Sequence, residues 1–231
     1  MRNKVEIVHD RYSEVEYRMI DTPRAMRWLM KVIGLCSLLV VYPLVILSKL
    51  SSETGFKMSS ELLSLLPTAL GVSIRYEFYR RTLRACGKNL LVFFGGVFFY
   101  PEVSVGENVV IDSRATIHHC DIGDNVMIGA GSHLLSGSKY HDLSRTDIPI
   151  IYQGGKMKRI RIGNDVWIGV NCVIMEDVGD GSVVGAGSVV TRKVEPYSVI
   201  AGNPAVMIRK RGEGPVKVHH RATEDTEETS N

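Results

Sequence analysis

From Val105 onward an aliphatic residue returns almost every sixth position, a period that no amphipathic helix has. Divided at its aliphatic starts, the tract reads VGENVV IDSRAT IHHCD IGDNVM IGAGSH. After a gap it continues IGNDVW IGVNCV IMED VGDGSV VGAGSV VTRK VEPYSV IAGNPA. A hexad with one inward aliphatic and a tight Gly or Asn corner is one short strand plus one turn, so three hexads close a triangular coil. Val105, Ile111, Ile117, Ile122 and Ile128 are therefore expected to stack inside, as are Ile162, Ile168, Ile174, Val178, Val184 and Val190. A β-sandwich of short strands would instead show alternation and wider spacing. The short units IHHCD, IMED and VTRK are absorbed by trimmed corners.

The gap, HLLSGSKYHDLSRTDIPIIYQGGKMKRI, follows none of this spacing, yet the hexads resume in phase at Ile162. Residues from about 134 to 160 must therefore leave the solenoid as a loop.

Upstream of the repeats the chain has a different character. The apolar run from Val32 to Leu47 would extend ~24 Å as a helix, short of the roughly 30 Å hydrocarbon core. Adding WLMK ahead of it, with Lys31 snorkelling, reaches about the needed length, and Pro43 suits a re-entrant hairpin as well as a span. A second Pro-broken apolar stretch, ELLSLLPTALGV, follows. Then IRYEFYRRTLRACGK sets Arg75, Arg80, Arg81, Arg84 and Lys88 among Tyr76, Phe78 and Tyr79, the composition of a helix at a headgroup layer or of an ordinary amphipathic helix. The expected organisation is a leader over 1–28, a helical membrane-associated region over 29–87, a β-solenoid over 88–209 and a disordered polar tail over 210–231. At 231 residues the chain can bury a substantial core, and its formal charge of +3 gives no reason to expect nucleic acid. Cys36, Cys86, Cys120 and Cys172 are scattered without metal-ligand spacing and read as buried or inert thiols.

The hexads, the WIG of Trp167 to Gly169, the VVGAGSVVTRKV of Val183 to Val194 and the ending AGNPAVMIR of Ala201 to Arg209 carry a resemblance. Over about residues 85–209 the chain resembles the hexapeptide-repeat acyltransferases. Within them it is most similar to the galactoside, maltose and nodulation O-acetyltransferase group and to relatives that acetylate bacterial surface polysaccharides. The resemblance implies a left-handed parallel β-helix, a homotrimer with active sites in clefts between subunits, and acetyl-CoA as co-substrate with no metal.

Acyl transfer from a thioester to a sugar hydroxyl needs a base for the hydroxyl proton, donors for the developing oxyanion and a groove for the carrier. The resemblance places the base on the bulging loop after a Ser-Gly or Thr-Gly pair, and LLSGSKYHD supplies Ser136, Gly137 and then His141. Histidine suits the role because its unperturbed pKa of ~6.5 leaves it able to accept a proton near pH 7. Asp142 is a possible orienting partner. His118, His119 and His133 lie in the hexads, with corner or surface positions expected for at least two of them. For the acetyl-CoA groove the matching positions are Trp167, Val170, Ala186, Thr191, Arg192 and Arg209, with Gly185 and Gly187 small either for the carrier or for the corner.

The expected function is an O-acetyltransferase acting on a sugar of a surface polysaccharide or its lipid-linked precursor, at the cytoplasmic side of a bacterial inner membrane. The alternatives are a soluble acceptor (a sugar or serine) in the cytoplasm and a non-catalytic solenoid scaffold. A zinc-dependent carbonic anhydrase on the same fold would need three histidine ligands, and no convincing third is present.

Overall fold

The computed structural model describes residues 38–138 and 141–213, and its centre is a three-faced parallel β-solenoid of about six turns. The expected 1–28 leader, Cys36 and most of the 210–231 tail lie outside the described residues. Face 1 stacks β1 (Ala85–Cys86), β4 (Ser104–Val105), β7 (Cys120–Ile122) and β10 (Ile160–Ile162). Face 2 stacks β2 (Leu91–Val92), β5 (Val110–Ile111), β8 (Met127–Ile128), β11 (Trp167–Ile168), β13 (Val183–Val184) and β15 (Ser198–Gly202). Face 3 stacks β3 (Val97–Phe98), β6 (Thr116–Ile117), β9 (His133–Leu134), β12 (Val173–Ile174) and β14 (Val189–Val190). All these pairings are parallel, and β16 (Ala205–Lys210) closes face 2 antiparallel to β15.

Register explains the hexads. Ile111 pairs with Ile128, Ile168 with Val184 and Ile117 with Leu134, so each aliphatic sits over the aliphatic one coil away. All eleven aliphatics expected inside are buried. The short units IMED and VTRK are trimmed corners as expected: Val178 bridges Ile162 and Val194 and continues face 1. At the corner between faces 1 and 2 the chain turns through left-handed backbone at Asn89, Asn108, Asn125 and Asp165 (φ 54 to 60°). Asn tolerates that region, and it adds a ladder here, Asn89 Nδ2 donating to Asn108 Oδ1 at 2.9 Å and Asn108 Nδ2 to Asn125 Oδ1 at 3.0 Å.

The solenoid starts earlier than the boundary at residue 88. Ala85 and Cys86 are already β1, and Val92 and Phe98 are inward residues of a first coil. Over that coil lies a cap of three helices, α1 (Leu38–Leu50), α2 (Ser52–Ser64) and α3 (Thr68–Thr82). Phe56, Phe78, Tyr79 and Phe98 are fully buried between cap and coil, with Tyr79 and Phe98 edge to face at 4.6 Å. The Ser60 hydroxyl accepts from the Phe98 N–H at 3.2 Å and hydrogen-bonds the Tyr79 hydroxyl at 2.8 Å, and burial pushes that phenol up to about 12.

The Arg75–Lys88 stretch packs one side of α3 on the first coil and runs on into β1. Phe78, Tyr79 and Arg75 face the solenoid, Arg80 and Arg81 pair with Glu77, and Arg84 reaches Ser104 and Asp121. Among the described residues no helix is long and apolar enough to cross a membrane. Free Cys120 and Cys172 are buried, and burial pushes the half-buried Cys86 thiol up to about 11.

Arg75 is completely buried and ties the cap to the first coil. It donates to the carbonyls of Val92, Leu63 and Leu66, each at 2.8 Å. Two of these acceptors, Leu63 and Leu66, lie in the last turn of α2 and just after it, where helical pairing runs out, and Leu63 O also accepts the Leu66 N–H at 3.2 Å. Replacing Arg75 by Met takes the side-chain donor from Val92 O and Leu66 O at about 1–3 kcal/mol each, while Leu63 O keeps the Leu66 N–H at 3.2 Å, and the loss is offset in part by removing a buried cation. A net loss of about 2–4 kcal/mol is expected, read from chemical denaturation.

Candidate functional site

The insertion leaves the solenoid at the corner between faces 3 and 1. Leu135 still donates to Ile174 O at 2.8 Å, and the loop is pinched shut behind it by Lys158 N–H donating to Ser136 O at 2.8 Å. Gly137 makes the exit, with φ +83° and Lys158 Cβ only 2.8 Å from where a Cβ would stand. Within the loop Asp142 N–H donates to Gly154 O at 2.8 Å, and Gln153 holds Arg145 O and Ile148 O at 2.7 and 2.9 Å. The excursion is thus an internally bonded structure carrying an exposed His141.

Asp142 is also exposed, and its carboxylate accepts the Ser144 N–H at 2.9 Å. That hydrogen bond holds its pKa below the usual carboxylate value. The carboxylate of the residue after His141 is therefore held in a local turn of its own.

Stacked along the same corner are two aromatic–histidine pairs that the sequence reading missed as pairs. Phe99 stacks on His118 with centroids 4.5 Å apart, and Tyr100 on His119 at 3.9 Å. Their rings follow Phe98 in FFFYP, and the only sequence signal was the aromatic density ahead of the recognisable hexads. Lys57 of α2 lies 4.8 Å over the Phe99 ring, and with Glu53, Glu61 and Tyr100 it lines an open cleft of about 430 Å³. Burial, then His119, His133 and Lys57, hold His118 below its ordinary pKa; burial and Arg159 do the same to His119. Both favour the neutral form near pH 7. His133 Nδ1 is 2.6 Å from Thr116 Oγ1 on the outer surface of face 3. His118 and His119 are corner residues and His133 a half-buried surface one.

The positions matched to the carrier groove fall in two places. Trp167 and Val170 are exposed on face 2 and at its corner with face 3, 52% and 46%, and Ala186 is exposed one coil further along that corner. Thr191 and Arg192 are exposed at the opposite end of face 3, on the edge from which the His141 loop departs. Arg209 lies on β16, opposite Val199, and its guanidinium donates to Glu213 O at 2.7 Å. Local sterics and backbone conformation account for the flanking glycines. A Cβ at Gly185 would stand 2.9 Å from Ala201 Cβ, and Gly187 turns at φ +70° with open space beside it. One copy therefore brings together Trp167, Val170 and Ala186, and separately the His141 loop with Thr191 and Arg192. Among the described residues no group of His, Cys, Asp and Glu is arranged to hold a metal ion.

Against known proteins, the repeat family described as bacterial transferase hexapeptide (six repeats) matches residues 102–136 and 159–192. The chain is 34% identical over 148 residues to a galactoside O-acetyltransferase of Escherichia coli (strain K12), covering 60% of this chain and 70% of that protein. A shorter stretch of 52 residues is 58% identical to a chloramphenicol acetyltransferase of Agrobacterium fabrum, covering 22% of this chain and 25% of the relative. Across this and the next curated relatives matched, the chain covers between 25% and 50% of their length. Among solved structures, a galactoside acetyltransferase in complex with coenzyme A superposes with a TM-score of 0.59 at 28% identity, over 68% of this chain and 82% of that one.

Proposed function

This chain belongs to the hexapeptide-repeat acyltransferase family, and from that premise we propose that it transfers an acetyl group from acetyl-CoA to a sugar hydroxyl. The observation that carries the reading is the internally bonded loop that presents His141 at one edge of the solenoid. Neutral His141 takes the proton of the acceptor hydroxyl as its oxygen attacks the thioester carbonyl. The tetrahedral oxyanion is met by backbone N–H donors, and the collapsing intermediate expels the thiolate of CoA, which the imidazolium protonates. Asp142, kept ionised by Ser144, stands next to the imidazolium that forms.

Acetyl-CoA fits the exposed residues on chemical grounds. Trp167 offers an exposed aromatic wall, Ala186 leaves backbone accessible, and Arg192, exposed with Lys193 beside it, supplies long cations for phosphate. The proposal includes the left-handed winding and a homotrimer in which the His141 edge of one copy meets the Trp167–Ala186 edge of the next. It also includes an acceptor belonging to a surface polysaccharide or its lipid-linked precursor, at the cytoplasmic face of a bacterial inner membrane.

A second acceptor class has a specific observation behind it, the 58% identity to a chloramphenicol acetyltransferase. Release of free CoA thiol from acetyl-CoA, followed with galactosides, maltose, isolated lipid-linked glycans and chloramphenicol in parallel, separates the classes. Turnover with a saccharide and none with chloramphenicol is expected. Chloramphenicol as the sole substrate would overturn the sugar assignment, and no acceptor-dependent thiol release with any of them would favour the scaffold reading.

A further inference from the structure

Helix α1 is apolar on both its inner and its outer face. Its inward stripe is Val41, Val45 and Ser48, while Leu39, Val40, Tyr42, Ile46, Leu47 and Leu50 are exposed, Leu39 and Leu50 at 86% and 80%. Lys49 is its one charged residue. Met58 and Leu62 of α2, and Leu65 just after it, are exposed apolar residues at helical spacing, Met58 at the border of the cleft that Glu53, Lys57 and Glu61 line toward Phe99.

The small polar side chains of this hairpin point the other way. Ser48, Ser59, Ser60 and Ser64 are all buried, with Ser48 Oγ donating to Leu44 O and Ser59 Oγ to Gly55 O at 2.8 Å. At Gly55 the helices approach so closely that a Cβ would stand 2.6 Å from Leu47 O. Soluble helices turn polar faces to water, and large continuous apolar surface marks a partner. Small residues between the helices and large apolar ones outside is the polarity of helices packed in lipid.

Position and charge favour a bilayer surface over a protein partner. The main contacts of α1 are with α2 and α3, whereas α2 rests on β3 and α3 on β1 and β2, so the outer face of α1 points away from the solenoid. Residues 38–88 carry seven Lys and Arg against three Glu and no Asp, a net charge of +4, more than the +3 of the whole chain. The Arg81 guanidinium lies 5.8 Å over the ring of Tyr42, inside the exposed row. Beside it Tyr76, Arg80, Arg81 and Lys88 line an open cleft of about 380 Å³. Cations at the flank of an apolar face are placed for phosphate headgroups. The 13 described residues of α1 extend ~20 Å, enough for one leaflet.

We infer that the outer face of α1, continued by Met58, Leu62 and Leu65, docks into one leaflet of an anionic lipid bilayer, with Arg80, Arg81 and Lys88 among the headgroups. The contact lies on the cap and not on the acyl-transfer site, so the inference goes beyond acetyl transfer and does not depend on it.

Flotation of the purified full-length chain with vesicles tests it without donor or acceptor present. Two vesicle types are used, phosphatidylcholine alone and phosphatidylcholine mixed with phosphatidylglycerol. Wild type should float with the mixed vesicles and stay bound in high salt, because apolar insertion is not screened. A Leu39→Gln/Ile46→Gln/Leu50→Gln variant, with its circular dichroism and oligomeric state unchanged, should partition at least about 100-fold more weakly. Arg80→Gln/Lys88→Gln should lose about 10–30-fold on the mixed vesicles and little on phosphatidylcholine. Wild type that does not float, a triple variant that floats like wild type, or complete release by salt each overturns the inference. A triple variant that changes oligomeric state while vesicle binding holds assigns the face to contacts between copies and overturns it too.

Discussion

His141→Asn should lower kcat by about 10²–10⁴, the usual contribution of a general base, while leaving the melting transition and CoA affinity close to wild type. The two halves of that expectation rest on different features. The retained fold follows from position, since His141 is exposed on a loop held by other residues: Asp142 N–H to Gly154 O, Gln153 to two carbonyls and Lys158 to Ser136. The lost rate follows from chemistry, since asparagine keeps a polar side chain of similar reach but cannot take a proton. Stopped-flow and steady-state thiol release at saturating acetyl-CoA and acceptor measure it. His119→Asn and His133→Asn are the controls. His119 is half-buried and stacked on Tyr100, and His133 is tied to Thr116. Either substitution should reduce stability or acceptor affinity before it reduces kcat. If one of them abolishes turnover while His141→Asn turns over near the wild-type rate, the base sits on the solenoid corner and not on the loop.

The solenoid was legible because its constraint is local and repeated. Each coil needs an inward aliphatic and a corner residue that tolerates left-handed backbone, so Ile128 or Asn125 declares its place without reference to distant sequence. The first coil fell within the expected solenoid, but its repeat was not legible before Val105, because its inward residues, Cys86, Val92 and Phe98, carry no following Gly-Asp or Gly-Asn pair in FFGG and FFYP and are covered by helices instead of by another coil. The cap's packing on the solenoid was hidden for a related reason. Arg75 looks like a surface cation in RYEFYRR, and only the three-dimensional arrangement supplies the Leu63, Leu66 and Val92 carbonyls that justify burying it. Phe78 and Tyr79 likewise carry an aromatic signal that fits a headgroup layer and a packed interface equally well. At the candidate site the loop was legible as an interruption of phase. The pairing of Phe99 with His118 and of Tyr100 with His119 was not, because it joins residues one coil apart whose types follow no repeat.

Two inactive variants should restore each other when they share a trimer. Ala186 and Thr191 stand at opposite ends of face 3, five residues and so at most ~18 Å apart, and the His141 loop leaves from the Thr191 end. A reacting hydroxyl must come within about 3–3.5 Å of the thioester carbonyl, so base and carrier have to converge on one point. In the proposed trimer that convergence occurs across a junction, the loop from one copy and the Ala186 edge from its neighbour. His141→Asn spoils only the loop, and Ala186→Trp, exposed and free of core contacts, blocks only the carrier edge. Each homotrimer should turn over at least about 10²-fold more slowly than wild type. Co-expressed with different tags and purified through both, every mixed trimer has one junction of the three with intact loop and intact edge, whichever variant is in excess. Turnover should therefore return to about a third of wild type, with light scattering giving a trimer mass. A fully active monomer, or mixed trimers that stay at the homotrimer background, would place both parts of the site within a single copy.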